Sequence, residues 1–440
     1  MKSKKKKTTR KKKKKRLKLS KNWLIVGIVL VIILGIIHIL RPKNIVVYKK
    51  SDGLYYTKNN QVEEAHKKET YYIRLWEKQK YISYLNNDTL YRTKTNNNKQ
   101  ITILEDVKDY YLIKKNQLLI MDKEGNLYIA KGKKLSKQDE NVWEVIDITE
   151  DYAIYTTSSD LKILNFSTKE KYSLDYDNYT ISEDKSNLLI YQNQSLKIYN
   201  VKKHKVIKEY ENINYYSCVN PSCTTFYYLE FDKLYINTKK NKVLEEDVSE
   251  ILYSEKNKVI YTKYKDGKMI LYYKYKTHKS KKMDESTKGF TNLELKNNKL
   301  YYLMGNTLVE MKKNGKKKQT ILEDVGKILD ITYKDKYLII KDDRLYWNDK
   351  EIAKNIVDES IQIENNKLYY KTVNQKNEIL YVYNGKKSKK IADNVGDYYV
   401  QKNRVYYIGD YNIYKLQGTL YYAKKNPKEL DTNVISIIKE

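Results

Sequence analysis

The sequence predicts an all-β protein in which a β-propeller ectodomain of about eleven four-stranded units follows a single transmembrane helix. Three observations carry this prediction. A short corner, made of a polar and an apolar residue, recurs along the chain. The residues between corners alternate between apolar and polar, and one apolar stretch without charges lies near the N-terminus. Two arrangements of the units stay open, one large ring and two packed rings.

The corner is clearest in two identical segments, Ile103–Val107 and Ile321–Val325, which both read Ile-Leu-Glu-Asp-Val. Leu244–Val248 is a near copy, and looser versions keep only a polar residue or glycine before an apolar one. Successive apolar anchors lie 31 to 42 residues apart, a period typical of a solenoid, a propeller or an array. The predicted anchors are Tyr71, Val107, Val142, Tyr179, Ile213, Val248, Phe290, Val325, Ile356, Val395 and Val434.

The residues between corners separate these architectures. Ile328–Tyr333 alternates with a period of two, as a half-buried strand does, and Lys299–Leu303 is rich in β-forming residues. Hairpin signals punctuate the units at Asp266-Gly267, Asn314-Gly315 and Asn384-Gly385. No long helical periodicity follows Lys43, which favours a repeat built of strands over a helical array. Four short antiparallel strands per unit are typical of a propeller blade.

The two ends of the repeat region predict that the ring closes on itself. Asn44–Thr70 supplies strands but no anchor strand before them, whereas Val434–Lys439 is an anchor strand with nothing after it. We therefore expect the last strand to complete the first unit, which removes two exposed sheet edges. Because propeller rings usually hold four to eight blades, about eleven units leave both one ring and two rings open.

The N-terminal region predicts a membrane anchor. Residues 1–41 hold fifteen Lys and Arg and no acidic residue, and Trp23–Leu40 is an uncharged apolar stretch of eighteen residues. We interpret residues 1–22 as a disordered cytoplasmic tail, 23–40 as an uncleaved signal-anchor helix and 44–440 as the extracellular propeller. The competing readings are nucleic-acid binding by the tail and a cleaved signal peptide. The prediction is a single-pass plasma-membrane protein that binds no nucleic acid.

The charge of the ectodomain suggests a partner. Residues 42–440 hold 72 basic and 55 acidic residues, and many lysines fall in turns such as Lys312–Lys318 and Lys386–Lys390. Unpaired lysines are almost never buried, so we expect these turns to lie on the rim. There they would face anionic lipid or a phosphate-bearing wall polymer, unless they serve only solubility.

Tyrosine dominates the aromatic residues, with 47 Tyr against 4 Phe. Many occur as adjacent pairs in predicted strands, and neighbouring strand residues face opposite sheet surfaces. Each pair should therefore give one ring to each of two interfaces between units, with the hydroxyl reaching a polar partner. These pairs are Tyr55-Tyr56, Tyr227-Tyr228, Tyr272-Tyr273, Tyr301-Tyr302, Tyr369-Tyr370, Tyr406-Tyr407 and Tyr421-Tyr422.

Gly326–Ile331 followed by Lys336–Ile339, together with Asn298–Tyr302, combines a corner, an Ile-x-Ile-type strand and a Leu-Tyr-Tyr strand. In these residues the chain resembles exported, membrane-anchored proteins with a Tyr-rich domain of unknown function. Those proteins are related to low-density-lipoprotein-receptor-type (YWTD-like) β-propellers. The resemblance covers most of residues 44–440 and implies a propeller fold. True YWTD tetrads are absent, and the family brings no established catalytic residue to this chain.

No constellation in the sequence predicts a reaction. The four histidines, His38, His66, His204 and His278, lie far apart without metal-ligand spacing. No nucleophile elbow, zinc-protease motif or phosphate loop occurs. Cys218 and Cys223 lie in one short insertion, and we predict a disulfide between them, the alternative being two free thiols.

These observations favour a binding or scaffold module over an enzyme, with no cofactor and no metal. The expected partner is an envelope component or an unidentified protein, since propeller faces are rigid platforms that carry variable loops. The alternative is a carbohydrate-active envelope enzyme of glycosidase or lyase type, because two catalytic carboxylates from distant units would be invisible in the sequence.

Overall fold

The computed structural model describes residues 45–440 except 59–60, 77–78, 115–116, 194, 239–241, 297, 314, 335, 376 and 440. This part of the chain folds into β-strands, with one short 3-10 helix at Asp358–Ser360 and no α-helix. No helix in it has the length and apolar character needed to span a bilayer. The predicted tail, residues 1–22, and the predicted transmembrane segment, residues 23–40, lie outside the described residues.

Antiparallel sheets follow one another along the chain. Their strands are short because turns rich in Asn, Asp, Gly and Lys interrupt the apolar alternation every few residues. In the first half, the strands are β1 Ile45–Lys50, β2 Gly53–Lys58 and β3 Gln61–Lys67; β4 Tyr71–Trp76, β5 Tyr81–Asn86, β6 Thr89–Lys94 and β7 Lys99–Leu104; β8 Val107–Leu112, β9 Gln117–Asp122, β10 Leu127–Lys131 and β11 Lys134–Asp139; β12 Val142–Ile148, β13 Tyr152–Thr157, β14 Leu161–Asn165 and β15 Lys171–Leu174; β16 Asn178–Ile181, β17 Asn187–Gln192, β18 Ser195–Asn200 and β19 Lys205–Glu211.

The second half continues the pattern, with one sheet of three strands. Its strands are β20 Tyr215–Cys218, β21 Phe226–Glu230 and β22 Lys233–Ile236; β23 Glu250–Glu255, β24 Lys258–Lys265, β25 Lys268–Tyr275 and β26 Lys281–Ser286; β27 Thr291–Lys296, β28 Lys299–Met304, β29 Thr307–Lys312 and β30 Gln319–Leu322; β31 Lys327–Tyr333, β32 Lys336–Lys341, β33 Arg344–Trp347 and β34 Lys350–Lys354; β35 Gln362–Glu364, β36 Lys367–Asn374, β37 Asn377–Tyr383 and β38 Ser388–Ala392; β39 Tyr398–Gln401, β40 Arg404–Asn412, β41 Gln417–Tyr422 and β42 Lys428–Ile438.

Strand β42 joins the two ends of the repeat region, as the sequence predicts. Its first half pairs with β41, with Tyr421 opposite Glu429, and its second half pairs with β1, with Val47 opposite Ile438. The two groups of strands form one seven-stranded sheet in the order β3-β2-β1-β42-β41-β40-β39. The final strand therefore covers the edge of β1.

The recurring corners have a backbone cause. At nine of the eleven predicted corners, the residue before the anchor has a left-handed φ between 49° and 74°, and the anchor itself is buried. Glycine, Asn and Asp are the residues that adopt this conformation most readily. The turn redirects the chain from one sheet to the next, and its apolar anchor then enters the core. These residues are Asp106, Asn141, Asn212, Asp247, Gly289, Asp324, Asn355, Asn394 and Asn433.

Two predicted anchors behave differently. Tyr71 is exposed, and the buried residue of that corner is its neighbour Thr70. Tyr179 is only half-buried, and Asn178 before it lacks the left-handed φ. The unit that starts at Ile213 also departs from the four-strand prediction: among its described residues, the isolated bridge of Leu234 with Glu245 stands where a fourth strand would be.

The cores lie between consecutive sheets. One apolar cluster joins β8–β11 to β12–β15, another joins β12–β15 to β16–β19, and later pairs repeat this arrangement. The tyrosine pairs serve two cores at once, as predicted. Tyr302 packs in the cluster shared with β23–β26, whereas Tyr301 packs in the cluster shared with β31–β34. Tyr370 and Tyr369 divide in the same way. The described region is an all-β, propeller-like stack of sheets.

Candidate functional surfaces

The strand ends form two surfaces, because consecutive antiparallel strands reverse direction. We call corner face the surface made by the turns between second and third strands and by the corners that lead to the next sheet. Backbone hydrogen bonds hold these two kinds of turn together. The N–H of Val107 donates to the carbonyl of Asp88 at 2.8 Å, and that of Val325 donates to Asn306 at 2.8 Å.

The opposite face is made by the turns between first and second strands and between third and fourth strands. Its turns also touch from sheet to sheet. Lys114 Nζ lies 2.8 Å from Asp151 Oδ1, and Lys334 Nζ donates to the carbonyl of Asn384 at 3.1 Å. The first described strand, β1, begins at this face with Ile45, since the turn that ends it at Ser51-Asp52 belongs to the corner face.

The corner face is acidic. Among the described residues between strands on this face, and leaving out 237–249, which runs from one face to the other, twenty are acidic and four are basic. The four basic residues are Lys68, Lys123, Lys288 and Lys415. The acidic residues are Asp52, Glu69, Asp88, Glu105, Asp106, Glu124, Glu140, Asp160, Asp175, Asp177, Asp232, Asp266, Glu323, Asp324, Asp342, Asp343, Asp358, Glu359, Asp393 and Asp397.

The opposite face has the reverse charge. Its described connecting residues hold twenty lysines and six acidic residues, the latter being Glu150, Asp151, Glu170, Glu183, Asp184 and Asp349. The predicted lysine-rich turns, Lys312–Lys318 and Lys386–Lys390, both lie here, and their described lysines are largely exposed. The lysines are Lys80, Lys114, Lys133, Lys169, Lys185, Lys202, Lys203, Lys256, Lys276, Lys279, Lys313, Lys316, Lys317, Lys318, Lys334, Lys386, Lys387, Lys402, Lys424 and Lys425.

Exposed aromatic residues also divide unevenly between the faces. Of the eight exposed aromatic side chains in the described region, seven lie in or directly beside corner-face turns, whereas Tyr275 lies beside a turn of the opposite face. Aromatic rings left in water in this way are typical of binding surfaces. The seven are Tyr71, Tyr72, Trp143, Tyr215, Phe231, Tyr264 and Tyr414, with Tyr414 86% and Phe231 75% exposed.

A groove of about 580 Å³ is lined in part by one of these rings, that of Trp143. Trp143 lies beside Lys108, Lys123 and Glu124 in its wall, and Lys108 Nζ donates to the carbonyl of Trp143 at 3.1 Å. The corner at Asn141-Val142 fixes the position of this ring, because Val142 is buried and its N–H donates to the carbonyl of Gly125 at 2.9 Å. The groove thus offers an aromatic surface on a fixed backbone.

A second cleft, of about 400 Å³, has two carboxylates among its lining residues, Glu359 and Asp397. Asp397 is already engaged in holding the closing strand. Its carboxylate accepts the N–H of Ile437 at 3.1 Å and pairs with Lys439 Nζ at 2.7 Å. Because these bonds join β42 to the corner before β39, Asp397 acts as a structural tie.

Elsewhere, a buried carboxylate, Asp139, and a half-buried one, Glu245, link neighbouring sheets. Asp139 accepts the hydroxyl of Tyr155 at 2.7 Å and contacts the ammonium groups of Lys162 and Lys171 at 3.2 and 3.1 Å. Burial alone would raise the pKa of Asp139, but the hydrogen bonds from Tyr155 and the two lysines lower it. For the same reason the pKa of Glu245, bonded to Ser280 and Lys263, falls to about 2. Both carboxylates stay ionised and serve packing.

The remaining residues predicted from the sequence do not gather into a site. His66 packs against the rings of Tyr84 and Tyr91, and His204 stacks on Tyr172 at 3.8 Å. His38 lies outside the described residues. In the described part of the chain, no group of three or more His, Cys, Asp or Glu side chains is arranged to hold a metal ion.

Cys218 and Cys223 are joined as a disulfide, with their Cα atoms 4.9 Å apart, where β20 leads into the turn before β21. The bond lies on the opposite face and closes a loop of a few residues, so it constrains only this turn.

Sequence reasoning missed both the charge division and the aromatic set. A signal for the aromatic set existed, since Trp143 directly follows the Asn141-Val142 corner and Phe231 precedes Asp232 in a turn.

Comparisons with known proteins add no family. No family model matches the chain, and no curated protein matches it. The similar solved structures include a eukaryotic initiation factor, at 10% identity and a TM-score of 0.39 over 90% of this chain and 97% of that one. They also include the tricorn protease, at 12% identity and 0.28 over 88% and 51%. A third is an extracellular domain from B. thetaiotaomicron, at 9% and 0.25 over 90% and 78%. TM-scores below 0.5 support no functional argument.

Proposed function

We propose that the chain is a membrane-anchored binding or scaffold module that recognises an envelope component or partner protein through its corner face. The observation that carries the proposal is the set of seven exposed aromatic side chains on that face. Each stands in or beside a turn whose backbone is fixed by a buried anchor or by a hairpin, so its position costs little to order on binding.

The acidic surroundings narrow the chemistry of the partner. Twenty carboxylates around exposed rings favour cationic or amino-bearing groups, which gain both ion pairing and cation–π contact. The alternative, a carbohydrate-active enzyme, needs two free carboxylates about 5 to 10 Å apart. Asp397, in the cleft that holds two carboxylates, is committed to Ile437 and Lys439, which favours binding over catalysis.

Our proposal for the architecture is a single ring of eleven units. Nine separate sheets and the two groups of strands that share β42 supply them, and each sheet packs on the next along the chain. Electron microscopy of the full chain, viewed along the ring axis, counts the units directly. Two separate rings in such views would contradict the proposal.

The experiment for the binding role uses the immobilised full chain and an envelope extract of the producing cells. Replacing Trp143, Phe231, Tyr264 and Tyr414 by Ala should abolish capture of components that the parent chain retains. The matched control replaces four exposed residues beside the opposite face, Val62, Leu135, Val206 and Tyr275, and should capture normally. Equal capture by all three chains contradicts the proposal. Release of new reducing ends from envelope polysaccharide would favour the enzyme instead.

The anchored topology is tested in cells without their wall. External protease should degrade residues 44–440 and spare the basic tail, as the lysine asymmetry around Trp23–Leu40 predicts. Protection of the repeat region would contradict an extracellular location.

A further inference from the structure

Part of the lysine layer on the opposite face is not neutralised by ion pairs. Lys203, Lys317, Lys386, Lys387 and Lys425 make no ion pair with any described residue. Two strand carboxylates also pair with this face, Asp147 with Lys185 and Asp284 with Lys318. Together with the six acidic residues of the turns they are still far fewer than the twenty lysines. Such a layer attracts anions over a distance set by the salt concentration.

The residue type indicates what kind of anion. All the basic residues in these turns are lysine and none is arginine, within the described region. Arginine is preferred where a carboxylate or phosphate is gripped by two parallel hydrogen bonds, whereas lysine is a hydrated point charge. A lysine layer therefore fits a diffuse anionic surface better than one defined phosphate ligand.

The distribution of the charge points to an extended partner. The lysines run from Lys80 to Lys425 and occur in turns of successive sheets all along the repeat region. A small anion could meet only a few of them at once. A surface of many negative headgroups could meet them together.

The position of the chain's N-terminal end favours a lipid bilayer over a wall polymer as the anionic surface. Strand β1 begins at the opposite face with Ile45, and only four residues separate it from the end of the apolar stretch at Leu40. Four residues span at most about 14 Å. An anionic bilayer that holds the apolar stretch would thus be within reach of these lysines.

We infer that the opposite face docks on the anionic headgroups of a lipid bilayer and leaves the corner face free. This inference rests on the membrane anchor of the proposed function, but it is independent of what the corner face binds. Each lysine near an anionic surface strengthens membrane binding by about fivefold, so loss of four lysines should weaken docking by several hundredfold at low salt.

Lysine footprinting on the full chain tests this directly. The chain is returned from detergent into phosphatidylcholine vesicles with or without phosphatidylglycerol and is labelled with an amine-reactive reagent. Mass spectrometry then reports each lysine separately. We expect labelling of the opposite-face lysines to fall in phosphatidylglycerol vesicles and to recover as salt rises. Lys68, Lys123, Lys288 and Lys415 on the corner face serve as internal controls and should label equally throughout.

A pair of matched variants separates docking from the pull of the basic tail. K317Q/K386Q/K387Q/K425Q should lose the protection of the remaining opposite-face lysines, whereas K68Q/K123Q/K288Q/K415Q removes the same charge and should keep it. Equal labelling in the two kinds of vesicle overturns the inference, as does equal protection of both faces. Protection by soluble poly(glycerol phosphate) but not by vesicles overturns it too, because a wall polymer would then be the partner.

Discussion

The two faces solve the same backbone problem with opposite charges. Both need residues with a left-handed φ in their turns. The connecting residues of the corner face use Asp for this at six positions, among them Asp88, Asp266 and Asp343, and those of the opposite face use Lys at six, among them Lys185, Lys317 and Lys402. Asp adopts the left-handed region readily, whereas Lys has no local bond that favours it. The acidic residues of the corner face therefore suit the left-handed turns that they occupy. The lysines of the opposite face occupy the same backbone conformation without such a preference.

The largest effect on stability is expected from removing the second half of β42, the strand that joins the two ends of the repeat region. Deleting Val434–Glu440 takes away the strand that pairs with β1, including the buried Val434 and Ile437. The chain should lose its cooperative thermal transition, since an edge opens and two apolar anchors are lost at about 2 to 5 kcal/mol each. Circular dichroism of the full and shortened chains checks this, with Thr432→Ala as the mild control. An unchanged melting temperature would mean that the ends are not joined.

The tyrosine-containing cores between the two faces should unfold at high pH. Burial raises the pKa of Tyr56, Tyr84 and Tyr227 to about 12, against an ordinary value near 10. Stability from such groups is complete below pH 10 and is lost as pH rises through 12, at about 1.4 kcal/mol per pKa unit for each tyrosine. Absorbance at 295 nm should show the buried tyrosines ionising together with unfolding. Ionisation of these buried tyrosines near pH 10 with the fold intact would refute this.

A reciprocal exchange of left-handed residues sharpens the comparison of the faces. Asn394→Lys places lysine at a φ of 49° on the corner face and should cost about 1 kcal/mol. Lys317→Asn relieves the same strain on the opposite face and should gain up to about 1 kcal/mol. Urea denaturation measures both. If Lys317→Asn is destabilising, the lysine is not held against conformational preference.

The smallest effect on stability is expected at one of the exposed rings of the corner face, that of Trp143. Trp143 is 65% exposed, so Trp143→Ala should change the free energy of unfolding by less than about 0.5 kcal/mol. Trp76, which is 7% exposed in a core cluster, provides the contrast, and Trp76→Ala should cost about 3 to 5 kcal/mol. Comparable losses at the two positions would make Trp143 a structural residue.

The repeat was readable from the sequence because one local requirement recurs. A left-handed residue must precede a buried apolar one at each corner, and this restricts the corner to a few residue types, as at Asp324-Val325. The tyrosine pairs were readable for a similar reason, since strand alternation alone sends Tyr301 and Tyr302 into different cores.

The two surfaces were not readable, because a lysine-rich turn in the sequence does not reveal at which end of its sheet it lies. The sequence predicted that Lys312–Lys318 and Lys386–Lys390 lie on a rim. Only the strand order in the structure shows that both turns lie on the same face. The ion pair of Asp397 with Lys439 could not be predicted from the sequence either, because it forms only when β42 pairs with β1.

Closure through β42 also sets an order of events during synthesis. Val47 pairs with Ile438, about 390 residues later, so the first sheet stays unfinished until Ile438 has been made. Each intermediate sheet can pack on its predecessor as it emerges, but β42 can pair with β1 only after all of them have been made. The pairing of β42 with β1 should therefore add a late, abrupt gain in resistance to proteolysis, because an open sheet edge disappears at that step.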